Sequence, residues 1–358
     1  MTTDTQPAPT GTEQHGLVER HRRLSRFAPV GLFAAGAAVG VLFSALTGFN
    51  LVLAVVYAVA LGTLVVYLVS RSVEGSRKAL DRLVTSVVTT AFAVAMVPLV
   101  SLVWTVLSKG LKRLDAEFFT SSMLGVVGEG GGAYHAILGT LIITGLTAII
   151  SVPIGLLTAI YVVEYGTGRL KRAITFLVDV MTGIPSIVAG LFAFALFAIF
   201  FGPGVRMGIM GAVALSVLMI PVVVRSSEEV LKLVPNELRE AAYALGVPKW
   251  RTILKIVLPT AIAGLATGVT LAVARVIGET APLLITVGII NGTNTDPFDG
   301  RMATLPVFAY YQLTQPGFPP EYAIDRAWTA ALILIILVMA LNIVGRLISR
   351  FFAPKTGR

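Results

Sequence analysis

Glu240-Ala241-Ala242-Tyr243-Ala244-Leu245-Gly246, followed by Ile256-Val257-Leu258-Pro259, is a polar interlude in a chain built otherwise from long apolar runs. The apolar stretches on either side are long enough to span a bilayer, so the interlude lies outside it. Its residues predict a short helix from Pro235 to Leu245, a break at Gly246 and a second short helix. Pro259 then stands where the next span begins. Small Ala241 and Ala242 leave a surface that another protein can approach closely, and Gly246 permits a sharp reversal. The segment has the form of a docking element carried by a membrane protein.

The whole composition agrees. Of 358 residues, 56% are hydrophobic and only 13% charged, about half the roughly 25% of a soluble domain. The mean hydropathy is +0.85. So few charges cannot cover the chain in water, and a bilayer is its natural solvent. The absence of cysteine excludes disulfides, thiolate metal sites and cysteine nucleophiles. His15, His21 and His135 are widely separated, which argues against a metal site or a histidine-based hydrolase. The net charge of +9 sits in clusters between apolar runs, as expected of loops held on the cytoplasmic side rather than of a nucleic-acid surface.

Hydropathy predicts spans near 27–46, 50–70, 83–107, 136–163, 173–201, 208–225, 260–290 and 328–349, about eight helices in all. Pro153, Pro185 and Pro221 fall inside them and are tolerable where neighbours satisfy the freed backbone groups. Gly36 and Gly40, and Gly264 and Gly268, have the spacing of close helix packing. With the N-terminus inside, 21 basic residues fall on the cytoplasmic side and 6 on the outer side. That asymmetry predicts that both termini and the loop 226–259 face the cytoplasm. Residues 1–26 are polar, end in Arg20, Arg22, Arg23 and Arg26, and read as a disordered cytoplasmic tail rather than a signal peptide; residues 353–358 form the other tail.

Two outer loops are long, near 108–135 and 291–327. The first contains Gly128-Glu129-Gly130-Gly131-Gly132, which lacks the Lys-Ser or Lys-Thr and the preceding strand of a phosphate-cradling loop. It reads as a flexible connector. No other part of the chain has a nucleotide-binding pattern, so any ATPase is a separate polypeptide.

Ala274-Arg275-Val276-Ile277-Gly278-Glu279-Thr280-Ala281-Pro282-Leu283-Leu284 places two ionised groups in an apolar span, a functional-site hypothesis by default. Spacing by four predicts that Arg275 and Glu279 share a helix face and pair. An arginine offers a planar fork of donors suited to an oxyanion, and Glu279 would weaken that hold so that the anion passes. Thr280 follows directly. In Thr182-Gly183-Ile184-Pro185-Ser186, the proline bend opens backbone groups and the Ser186 hydroxyl toward a polar pathway. Glu164 and Glu228-Glu229, at span ends, are expected to be solvated.

The Glu240 to Pro259 pattern resembles the EAA loop of ATP-binding-cassette importer permeases, with Glu240, Gly246, Ile256 and Pro259 in register. The Arg275 to Leu284 string, the Thr182 to Phe192 string and Tyr161-Val162-Val163-Glu164-Tyr165 resemble phosphate-import permeases of the PstA type. The resemblance implies an all-α polytopic membrane protein. Its six-helix MetI-like core would occupy residues 80–352, preceded by an accessory helix pair at 27–70. It further implies that Glu240, Ala241, Ala242, Gly246, Ile256 and Pro259 couple to the ATPase, with Glu240 and Gly246 fixing the loop's shape. The chain would bind no cofactor and hydrolyse nothing, ATP and magnesium being used by PstB-type ATPase partners. The other implied partners are a PstC-type permease, an extracytoplasmic phosphate-binding protein and the bilayer of the bacterial cytoplasmic membrane, with no nucleic acid. Import of sulfate or molybdate, ion-coupled secondary transport, and a phosphate-sensing scaffold without transport stay open as alternatives.

Overall fold

A computed structural model describes residues 24–25, 27–46, 48 and 50–352. The tails expected at 1–26 and 353–358 lie outside these residues, apart from positions 24 and 25. The described elements are all helical. Seven are long and apolar enough to cross a membrane, or eight if one bent pair counts as a span. The chain divides into two compact units, residues 1–102 and 103–358.

In the first unit, α1 (Ala28–Leu46) and α2 (Leu51–Glu74) form a hairpin, and Asn50 caps α2 by accepting from the Val52 and Leu53 amides at 2.9 and 3.4 Å. Gly36 and Gly40 do lie at the α1–α2 contact. A Cβ on Gly40 would come within 2.5 Å of the Ala58 nitrogen, so only glycine allows this approach. α3 (Ser76–Gly110) follows after Gly75. Its Arg82 makes a two-pronged ion pair with buried Glu74, Nε at 2.8 Å and Nη2 at 3.0 Å. Glu74 also accepts from Ser70 Oγ and from the Leu24 amide, both at 2.9 Å.

The second unit begins within α3 and continues through α4 (Ala116–Thr120) to α5 (Tyr134–Ile160), which ends in a π turn, Tyr161–Tyr165. α6 (Gly168–Thr182), α7 (Ser186–Phe201) and α8 (Gly208–Lys232) follow. Next come α9 (Asn236–Ala244), α10 (Lys249–Thr252), a π turn at Ile253–Val257 and α11 (Leu258–Val276). α12 (Ala281–Thr286), α13 (Leu305–Thr314) and α14 (Pro320–Phe352) complete it. α5 packs along α8. Ile143, Ala212, Leu215, Met219 and Val223 join Ala272, Val276, Leu283 and Val287 in one buried core. Gly264 and Gly268 of α11 lie against Val230 and Ser226 of α8, the close packing their spacing suggested.

Two expected spans and one loop helix differ from the structure. The span near 173–201 is broken at Gly183–Pro185, and α6 and α7 meet at 107°. They cannot both follow the membrane normal. Pro185 lacks an amide donor and disfavours helix in the residue before it, which ends α6 instead of kinking one long helix. The span near 260–290 stops at Val276, and residues 277–280 separate it from α12. The expected second short helix of the loop does not stand apart either: Lys249 to Val276 is one helical run. Pro259 lies inside it, and the π turn just before widens the backbone where the proline ring crowds the preceding turn.

The glycine-rich segment at 128–132 is pinned, contrary to the expected flexible connector. Arg326 Nη1 donates to the carbonyls of Gly128 and Gly130 at 2.7 and 3.1 Å, and Arg113 Nη2 to that of Gly131 at 3.0 Å. Glu117 accepts from the Gly131 amide at 2.9 Å.

Candidate coupling loop and anion cavity

The loop begins where α8 ends. α9 closes in a Schellman turn: the Gly246 amide donates to the Tyr243 carbonyl at 2.9 Å and the Val247 amide to that of Ala242 at 3.1 Å. Gly246 has φ +75°, the left-handed value that a side chain resists and this turn requires. Ala242 is buried toward the π turn at 253–257, and Ile256 is half-buried. Glu240, Ala241, Gly246 and Pro259 are exposed. Among the described residues the exposed Glu240 carboxylate makes no hydrogen bond or ion pair within the chain. Leu233, Leu245 and Trp250 are also exposed, at 81%, 83% and 54%. The loop thus offers apolar side chains beside charged ones, a surface fitted to another protein.

Of the carboxylates expected to be solvated, Glu229 is exposed, whereas Glu164 and Glu228 are buried and paired. Glu228 lies between Arg225 at 2.9 Å and Lys232 at 2.7 Å, and Arg225 also pairs with Asp179 of α6. Glu164 pairs with Arg239 of α9 at 2.8 Å. Burial without such partners is too costly for an ionised carboxylate, so each has a cation supplied by the fold.

A cavity of about 220 Å³ opens between the two helix breaks. Arg275, Glu279 and Ser186 all line it, with Thr182, Leu218 and Pro221 among the other walls. Two breaks are needed to build it. One, at 183–185, places Ser186 at the start of α7; the other, at 277–280, places Glu279 after the end of α11. Ser186 therefore brings a helix N-terminus, with its partial positive charge, to the cavity wall. Arg275 is exposed, and Glu279 and Ser186 are partly so.

The expected pairing of Arg275 with Glu279 is not found: among the described residues no ion pair joins them within 4.0 Å. Arg275 lies in the last turn of α11, whereas Glu279 lies in the break, its amide donating to the Val276 carbonyl at 3.1 Å. The spacing by four loses its meaning once the helix stops. Thr280 does not line the cavity. Its carbonyl starts α12 by accepting from Leu283 and Leu284 at 3.1 and 3.0 Å. Thr182, in the motif string but not among the expected pathway residues, does line the wall.

The family profile described as "binding-protein-dependent transport system inner membrane component" matches residues 151–358, a stretch holding both the loop and the cavity. The chain belongs to this family. Within it, the chain is an ATP-binding-cassette permease of the PstA type and a multi-pass membrane protein. It is 50% identical over 273 residues to "phosphate transport system permease protein PstA 1" of Mycobacterium tuberculosis, covering 75% of this chain and 87% of that one. It is 47% identical to the PstA permease of Mycobacterium leprae, covering 80% of this chain and 94% of the relative. The crystal structure of a bacterial alginate ABC transporter contains a chain with the same fold, at TM-score 0.55 and 14% identity. That match covers 78% of this PstA-type chain and 97% of the other.

Proposed function

We propose that this chain forms part of the membrane pathway of an ATP-driven importer of inorganic phosphate. The observation that carries the reading is the convergence of Arg275, Ser186 and the N-terminus of α7 on one cavity, in a chain half-identical to a relative named for phosphate transport. A guanidinium and a helix N-terminus both favour an oxyanion. Glu279, on the same wall but not locked to Arg275, moderates that attraction so that the anion is released inward. Thr280 contributes through the turn that begins α12.

A PstC-type permease forms the rest of the path, and an extracytoplasmic binding protein delivers phosphate to it. Two PstB-type ATPase subunits use ATP and magnesium and dock on the exposed face of Glu240, Ala241 and the Gly246 turn, on the cytoplasmic side with both chain termini. Ala242, Ile256 and Pro259 carry the loop's movement into α11. The chain itself binds no cofactor. The test is copurification of the complex, identification of its subunits, and uptake of radiolabelled phosphate by proteoliposomes supplied with ATP and binding protein. Uptake that survives excess sulfate and molybdate supports phosphate as cargo; uptake abolished by either assigns the chain to another oxyanion.

A further inference from the structure

Arg239, beside Glu240, is the most firmly held side chain of the loop. Its Nη1 donates to the Val234 carbonyl at 2.6 Å, and its Nη2 to the Leu231 carbonyl at 3.1 Å. Nη2 and Nε also donate to Glu164 Oε1, at 2.8 and 3.1 Å. Glu164 is not part of the loop: it sits in the π turn that ends α5, 75 residues earlier. Only 12% of the Arg239 side chain and 4% of the Glu164 side chain are exposed. Next to this pair, Lys249 lies over the Tyr165 ring at 5.0 Å. Both short helices of the loop, α9 and α10, therefore hold the end of α5.

A buried ion pair is poor support for stability by itself, because desolvation offsets most of the attraction. Its better-founded use is to fix one geometry. The rigid guanidinium fork spans a carboxylate on α5 and carbonyls at the end of α8, so α9 cannot turn without moving one of them. The widened turn that carries Glu164 is of the kind often found at functional positions.

We propose that Arg239 is a positioning residue that transmits displacement of the loop to α5 through Glu164, a second output beside the direct helical run into α11. α5 packs along α8, whose Leu218, Pro221 and Val222 wall the Arg275 cavity. A movement of α9 thereby reaches the cavity from two sides: through α11 to Arg275, and through α5 and α8 to the wall formed by those residues. The proposal rests on reading the chain as an ATPase-coupled phosphate permease.

The experiment measures phosphate taken up per ATP hydrolysed by the complete complex in proteoliposomes, for wild type, Arg239→Ala, Arg239→Lys, Glu164→Gln and the double variant Arg239→Ala with Glu164→Gln. Arg239→Ala and Glu164→Gln should each lower the ratio by about fivefold or more, the lower end of coupling effects between sites. ATPase copurification and basal hydrolysis should be retained. The double variant should be no worse than either single one, and Arg239→Lys should be intermediate, keeping the charge without the fork. A latch that only holds the fold would lower the yield of complex and leave the ratio unchanged, which overturns the proposal. Additive losses in the double variant overturn it too. Should Arg239→Ala fail to assemble, a wild-type ratio in the near-isosteric Glu164→Gln overturns it. Absence of uptake in the wild type would contradict the phosphate reading instead.

Discussion

Gly190 of α7 rests on Pro282 of α12 so closely that a Cβ on the glycine would lie 2.7 Å from the proline Cα. This contact brings together the helices that follow the two breaks, and so brings Ser186 and Glu279 to one cavity. Backbone atoms cannot swing aside as a flexible side chain can. Gly190→Val should therefore separate α7 from α12 at a cost of about 2 kcal/mol, typical of overpacking. The expected outcome is a lowered thermal midpoint of the purified complex together with lost uptake.

The turn at Gly246 makes a different demand. Its φ of +75° is met by open space around the position, so strain and not a clash opposes a side chain there. Gly246→Val should cost about 1–2 kcal/mol locally, the penalty of a left-handed residue with a Cβ. It should either reduce copurification of the ATPase or uncouple hydrolysis from uptake. Normal copurification with a normal transport ratio would remove the loop from the coupling path.

In the first unit, Arg82 is the only cation within 4.0 Å of buried Glu74 among the described residues. Arg82→Ala strands a carboxylate and should destabilise the protein by about 3 kcal/mol. The double variant Glu74→Leu with Arg82→Leu removes both charges and should lose less. Thermal unfolding in detergent measures the difference, and equal losses would show that the pair is not an isolated electrostatic unit.

Local patterns exposed the loop and the polar residues of the cavity, because a polar segment between apolar runs and a charge within one are visible without tertiary structure. The break after Val276 was not visible in that way: Ile277 to Leu284 stays largely apolar, so hydropathy runs through while Gly278 and Pro282 stop the helix. The reading of Arg275 and Glu279 as partners failed for the same reason, since spacing by four implies contact only within one helix. Glu228 shows the converse. Its distances of three and four residues from Arg225 and Lys232 spell out the observed pairs, although its place at a span end alone predicts solvation. Glu164 and Arg239 meet only through the fold, and no local pattern links them.

The claim that an oxyanion passes at Arg275 is tested most directly by the initial rate of ATP-driven phosphate uptake in proteoliposomes holding the complete complex with Arg275→Ala. Removal of the guanidinium from the cavity should lower that rate by at least about a hundredfold, the scale of losing one charge-assisted site of roughly 3 kcal/mol. ATPase subunits should still copurify, because Arg275 is in the last turn of α11 and outside the loop. Uptake at the wild-type rate by that variant would contradict the assignment of the cavity as the phosphate path.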